Sequence, residues 1–475
     1  STFDDADGHY LGFDGRVHQM APGHHQYTNL SLWDIYRSQL PLLDLIEPSV
    51  AHDVLVSLIQ DAQQNHGVIP RWVQANRDRG IMGGDSGSAA LADGAAEGLL
   101  NKAQTQQALS LLMTQASQLP PVWPREHLDA YLHYHYIPND VSGIGTSETL
   151  EYNIDDNAVG QLARDLGDSS AATALKSRAG YWRSLVDPSD HFIRPRNSDG
   201  TWANPTKVGD PTGTTGFSTG QSVPYSPDFQ DGYQEGTGWQ YLWSVPQDTA
   251  GLAQAIGGRP VALRRLDRFF SQSLNSPTAP AVPAAQQWSS FFGVYYIGDQ
   301  YTSVNEPDLW APWYFDSYGQ PWKTQKVARA EMQVYNQTPE GLPGNDDAGE
   351  MSAWYVLAAL GMYHTTPGVP AWALSSPAFP HMLLHVGRRR LLIDAPGAGD
   401  QQPYIHGLTL NHVPVHQTYL TSCALRAGGV LRFALGDAAD RSWGTGASAA
   451  PPSLTRPSAA VNACGARLAQ DGGGD

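Results

Sequence analysis

Apolar residues recur at three- and four-residue spacing in segment after segment of the first 370 residues, and this repetition most constrains the fold. The spacing predicts helices over Val50–Gln64, Gln106–Leu119, Ala171–Val186, Pro260–Ser273, Lys326–Tyr335 and Met351–Met362, joined by long irregular loops. Alternating strand patterns are scarce there. Beyond about residue 370 the pattern changes: MLLHVGRRRLLIDA, LTLNHVPVHQTYL and GGVLRFALG are short β-rich runs divided by turn residues. From Ser448 to Asp475 the chain is rich in Ala, Gly, Pro and Ser, which predicts a flexible tail. The expected organisation is a mainly α domain over 1–368, a β-rich region over 369–447 and a tail over 448–475.

A chain of 475 residues can bury a sizeable core, as several units or as one large barrel with an appendage. Its 29 basic and 46 acidic residues give a net charge of −17 and no basic run offsets it, which argues against nucleic acid or an anionic membrane as partner. No run of about 18 apolar residues offers a membrane span. The 14 Trp and 21 Tyr outnumber the 12 Phe, an excess of flat amphipathic rings that suits sugar faces as well as a core. The start, STFDDADGHY, shows neither an initiator Met nor a leader pattern and reads as a processed or trimmed chain. Cys423 and Cys464 could form one disulfide or none. Few Cys, many Trp and Gly/Pro-rich loops fit a secreted, bacterial protein.

Three loop clusters concentrate carboxylates, amides and Trp in turns: DGYQEGTGWQYLWSVPQD, TSVNEPDLWAPWYF and GLPGNDDAGE. Loops at one end of successive helix pairs would converge on one cavity, bringing Glu235, Glu306 and the Asp346–Asp347 pair together. In the third cluster Asp347, followed three residues later by Glu350, resembles a capping box for the helix whose stripe is Met351, Trp354, Tyr355 and Ala358. That leaves Asp346 as a second, repelling carboxylate, open to a catalytic or metal role. In WDIYR, Asp34 and Arg37 lie one helical turn apart beside Trp33, so they could form an intrahelical ion pair or hydrogen-bond sugar hydroxyls.

Other motifs are weaker. Gly84-Asp85-Ser86-Gly87 matches a serine-protease nucleophile stretch, but the preceding residues cannot supply two β-barrels with their His and Asp, so Asp85 reads as part of a turn or ligand-contact loop. His133 and His135 lack the spacing and companions of a zinc motif. DDADG lacks the closing Glu of a calcium loop.

Taken together, FDDADGHYLGFDGRVH, YTNLSLWDIYRSQLPLL, EGTGWQYLWSVPQD, NEPDLWAPWYFDSYGQPWKTQ, GLPGNDDAGEMSAWYVLAALGMY and the late GGVLRFALG resemble glycoside hydrolase family 92, the calcium-dependent exo-acting α-mannosidases. The resemblance spans nearly the whole chain. It implies an (α/α)6 barrel with a small C-terminal β region, hydrolysis with inversion, Ca2+ as cofactor and a mannose-containing glycan as substrate. It places Glu235 as general acid and Asp347 as general base, with Asp346 and Asn345 orienting that base or its water. Asn305 and Glu306 fall in the stretch associated with the metal, which binds the mannose O2 and O3. Trp33, Asp34 and Arg37 would hold the terminal mannose, and Asp85, Trp239 and Gln240 are further substrate-binding candidates. The family's N-terminal β-sandwich is expected to be absent from this chain and supplied, if at all, by a partner domain or fragment. Asn305-Glu306 stands where α-1,2-cleaving members have His-Glu, and EGTGW replaces EGNAW, so the linkage stays open. A mannose-1-phosphodiester-cleaving relative and a non-catalytic mannan-binding protein are the alternatives.

Overall fold

The computed structural model describes residues 1–119, 123–204, 207–208, 217–218, 227, 231–271, 301–303, 305–339, 341–342 and 344–456. Much of the Thr201–Tyr233 loop therefore lies outside the described residues, as do the end of the helix expected to reach Ser273 and the tail from 457.

Helices dominate the first 360 residues. Those expected from periodicity form with small shifts at their ends, as Pro48–Gln64, Lys102–Ser117, Ser169–Arg178, Arg259–Ser271, Pro321–Glu331 and Glu350–Leu360. The last two turns expected of Ala171–Val186 separate as a 3-10 segment, Tyr181–Leu185. Two long helices escaped the periodicity, Ser86–Ala96 and Gly145–Asp165. Both are buried almost all round. Gly145–Asp165 packs against Ser86–Ala96, Lys102–Ser117 and Ser169–Arg178, and its buried residues include Glu148, Glu151, Asn153, Asp155 and Asp156. A helix enclosed on every side has no polar face, so it carries no amphipathic stripe.

The helical region closes on itself. Glu350–Leu360, its last helix, packs against Gln39–Ile46, one of its first, and Ser38 Oγ donates to the Glu350 carbonyl at 2.6 Å. This closure is what brings loops from both ends of the sequence to one place.

Beyond it lie the expected strands. A five-stranded sheet has the order His381–Val386, Arg389–Asp394, Gly429–Gly436, Tyr404–Leu410, Val413–Pro414, with Arg389–Asp394 and Gly429–Gly436 parallel (Leu391 opposite Gly429) and its other pairs antiparallel. Asn411 and His412 turn one hairpin with φ of +50° and +68°, the left-handed geometry a tight hairpin demands. A three-stranded sheet joins Met362–Tyr363, Ala371–Leu374 and Tyr419–Thr421. One apolar core runs across the expected boundary at 368, holding Trp354, Met362 and Trp372 together with Leu391 and Leu431. Residues 448–456 are not a loose tail: Ser453 Oγ and Thr455 Oγ1 donate to the buried Asp248, and Arg456 Nη2 donates to the Ser317 carbonyl at 3.1 Å. Cys423 is disulfide-bonded.

Candidate active site

The floor of the site is a buried group of three carboxylates, Asp34, Glu306 and Glu350, with ligand oxygens within 4.8 Å of one another. Each comes from a different element: the turn of helix Leu32–Ile35, the 3-10 segment Glu306–Asp308 and the first residue of helix Glu350–Leu360. At the rim, partly exposed, stand Glu235 and Asp347, whose charges act on both Asp34 and Glu306. Five carboxylates thus converge. Burial first, then Asp347, pushes the Asp34 carboxyl up to about 8, against the pull of Ser31 and Arg37. Glu306 is held well above the usual carboxylate range by burial, Asp34 and Asp347. Glu350 is raised by burial, Glu306 and Asp34. Asp347 is raised by burial and by Asp346, while a hydrogen bond with Glu306 pulls it down.

The backbone is strained where the two rim carboxylates sit. Glu235 has φ +45°, Asp347 +44° and Ala348 +59°, a region that costs a non-glycine residue about 1–3 kcal/mol and persists only where the surroundings enforce it. Gly236 follows Glu235 because a Cβ there would meet the Tyr241 ring at 2.8 Å and Asn305 Nδ2 at 3.2 Å. That close approach sets Asn305 beside the Glu235 turn.

The floor fits a hard cation. Glu306 Oε2, both Glu350 oxygens and Asn305 Oδ1 are buried without a hydrogen-bond partner among the described residues. Orphaned carboxylate and amide oxygens are the donors Ca2+ takes, and unpaired burial is costly without such a partner. Of the two residues expected as ligands, Glu306 lies in this group and Asn305 is its chain neighbour; Asp34 and Glu350 are additions to the possible ligand set.

The structure corrects the sequence expectations at several positions. Glu350 is not half of a capping box: the residue before the helix, Gly349, makes no side-chain cap, and the Glu350 carboxylate points to the floor. Asp346 fixes the helix start instead, its Oδ1 accepting from Ser352 N at 3.0 Å and Ser352 Oγ at 2.8 Å. Arg37 takes Glu151 as its partner rather than Asp34, donating at 2.7 Å. It lies within 5 Å of the Trp33, Tyr36 and Trp310 ring centroids, so it is a buried cation stacked among rings. Asp85 is elsewhere, its oxygens taken by Arg125 Nε, Ser88 Oγ and Gln115 Nε2. Trp239 packs edge-on to Phe192 beneath Arg268, in the core. Gln240 forms a capping box with Thr237, holding the short helix just after Glu235. Asn345 is exposed beside the rim.

Comparisons with known proteins place the chain in a family. Residues 1–437 match the model of the glycosyl hydrolase family 92 catalytic domain. A protein of Arthroderma benhamiae named "Uncharacterized secreted glycosidase" is 26% identical over 450 residues, covering 88% of this chain and 53% of its own length. A family GH92 α-mannosidase of Bacteroides thetaiotaomicron, also solved in complex with mannoimidazole, superimposes with a TM-score of 0.81 at 26% identity, over 96% of this chain and 56% of its own. An inverting family GH92 mannosidase of the same organism gives a TM-score of 0.80 at 27% identity, over 95% and 59%. The chain thus spans little more than half the length of these relatives. With one fungal and two bacterial relatives, the expectation of a bacterial source gains no support. Among the described residues no helix is long and apolar enough to cross a membrane. By the match of its first 437 residues, the chain belongs to glycosyl hydrolase family 92, through that family's catalytic domain.

Proposed function

We propose that this chain is the catalytic part of a secreted, Ca2+-dependent exo-α-mannosidase that acts with inversion from an (α/α)6 barrel, releasing terminal mannose from a glycan. One observation carries the reading: two partly exposed carboxyls, Glu235 and Asp347, stand over a buried three-carboxylate floor. The names of the solved relatives, both mannosidases and one of them inverting, supply the sugar and the stereochemistry.

Inversion needs an acid and a base set apart, about 6.5–9.5 Å, so that water fits between base and sugar. Glu235 gives its proton to the glycosidic oxygen as the bond from C1 to that oxygen breaks. Asp347 takes a proton from the water whose oxygen bonds to C1 from the opposite face. The mannose leaves with a new hydroxyl, the aglycone leaves as an alcohol, and exchange with solvent restores both carboxyls. Burial and Asp346 make Asp347 a stronger base than a free aspartate. Asp34, Glu306, Glu350 and Asn305 would hold the cation, which when bound supplies a positive charge for two neighbouring sugar hydroxyls.

The test is chelation followed by calcium add-back on an α-mannoside, with the anomer of the first product read by proton NMR. Loss of activity, recovery with Ca2+ and β-mannose as first product are expected. Activity that survives thorough chelation, or α-mannose appearing first, would sink the proposal.

A further inference from the structure

A second polar cluster lies where the helical region meets the C-terminal strands, apart from the site above. Asp93 and Glu97 end the helix Ser86–Ala96, one turn apart, and His364 faces them from the segment after Met362–Tyr363. All three are buried and each offers a ligand atom within 4.8 Å of the others. The buried Asp44, at the far end of the helix that begins beside the active site, lies close enough to repel both carboxylates. Two like charges at this helical spacing, with a third beside them, oppose folding unless something positive joins them.

The hydrogen bonds hold the cluster from its outside. His364 Nε2 donates to the Val369 carbonyl at 3.1 Å, which fixes the tautomer and leaves Nδ1 as a lone pair. That lone pair looks at Asp93 Oδ2 across 3.6 Å, so two acceptors face each other there, while Glu97 Oε1 stands 3.6 Å from Nε2 on the other side of the ring. Asp93 Oδ1 is oriented by Gly368 N at 2.7 Å, and the Glu97 oxygens by Ser422 Oγ at 2.6 Å and Arg426 Nη2 at 3.1 Å. An imidazole donating its other N–H to a backbone carbonyl, and carboxylates oriented by hydrogen bonds, Asp93 through one oxygen and Glu97 through both, are the supports that metal ligands have. Two ligands about 2.1 Å from one ion, roughly 110–120° apart, stand about 3.4–3.6 Å from each other.

We propose that Asp93, Glu97 and His364, with Asp44 as a further donor beside them, bind a first-row divalent cation of the zinc or manganese kind that ties the helical region to the strand region. An imidazole ligand favours such an ion over Ca2+. Arg426 alone does not offset three carboxylates, whereas a divalent ion with Arg426 does. The role of the site is structural, joining two parts of the fold.

The test is elemental analysis and metal-dependent melting of the chain, in a His52→Ala background that removes the partly exposed His24–His52–Asp53 group as a competing site. One equivalent of zinc or manganese per chain is expected, with a melting temperature that falls on stripping and returns with Zn2+. His364→Ala and Asp93→Asn should each lose that equivalent and the Zn2+ response, leaving the calcium requirement of activity unchanged. No bound first-row metal, or a melting temperature indifferent to Zn2+, would overturn the proposal. If the variants do not fold, Co2+ loaded into the parent chain decides: visible ligand-field bands support the site, and their absence refutes it. Because the deciding readouts, bound metal and melting temperature, do not depend on mannoside cleavage, failure here leaves the proposed hydrolysis standing, and the reverse holds as well.

Discussion

Asp346 and Asp347 are adjacent in sequence and serve different ends. Asp346 Oδ1 holds the amide and hydroxyl of Ser352, while Asp347, turned by a φ of +44°, carries its carboxyl to Glu306. The left-handed turn separates them. One fixes the start of helix Glu350–Leu360, and the other is mounted on that start.

The division makes the two residues separable by mutation. Asp347→Asn keeps shape and hydrogen-bonding volume but removes the base, so kcat on an α-mannoside should fall by about 10²–10⁴-fold with the melting temperature unchanged. Asp346→Ala should instead cost stability, about 1 kcal/mol from the lost helix-start bond, with a smaller loss of rate. Denaturant unfolding and steady-state kinetics on the pair check this; the opposite pattern would exchange their roles.

Glu235 is tested by its leaving group. Glu235→Gln cannot give a proton, so cleavage of an aryl mannoside with a poor leaving group should drop by about 10²–10⁴-fold, and one with an activated leaving group by much less. A variant that loses both equally would point to a binding role. Loss on the glycoside with full survival on a mannose-1-phosphate ester would favour the phosphodiester reading.

How much of this was legible in the sequence depends on how each residue is buried. Helix Pro48–Gln64 has a wet face and shows its stripe, whereas Gly145–Asp165 is enclosed and reads as polar loop. Its buried acids, Glu151 and Asp156, serve Arg37 and Arg178, partners distant in sequence that no local spacing reveals. That Glu235, Glu306 and Asp347 come together was legible because they stand in turns, where a scaffold displays side chains. Glu350 was not, since its place three residues after an Asp is also what a capping box looks like. Trp239 and Gln240 neighbour Glu235 in sequence, and the structure shows them in packing and in a helix cap. The left-handed turns at Glu235 and Asp347 carried no glycine to announce them.

The buried Asp156 sets an acid limit on stability. Burial alone would raise its carboxyl, but Arg178 and Arg125 outweigh that and hold it below the ordinary 3.8. A folded value below the unfolded one means that the stabilisation is complete above about pH 4 and is lost as pH falls through the folded value. Asp156→Asn leaves Arg178 and Arg125 short of their counter-charge and should cost about 3–5 kcal/mol at neutral pH. Denaturant melts from about pH 7 down to about pH 3 should show the gap between parent and variant closing at the acid end. A gap constant with pH would mean that the carboxylate charge is not what Arg125 and Arg178 need.

Glu350→Gln distinguishes the floor from the cap most directly. A capping box accepts Gln at this position, so a capping role predicts a variant with unchanged activity and calcium requirement. A floor role predicts otherwise. In calcium-free protein the substitution replaces one of three crowded buried carboxyls, each disfavoured in its charged form, with a neutral amide, so the melting temperature should hold or rise. With calcium, one hard anionic ligand is missing, so half-maximal activity should need at least about tenfold more Ca2+, the size of loss typical when a metal's supporting groups are changed. A calcium titration of activity, paired with melting curves in chelator, reads both sides at once. Unchanged calcium dependence together with lower stability in chelator would return Glu350 to the helix start and leave Asp34 and Glu306 as the only carboxylates of the floor.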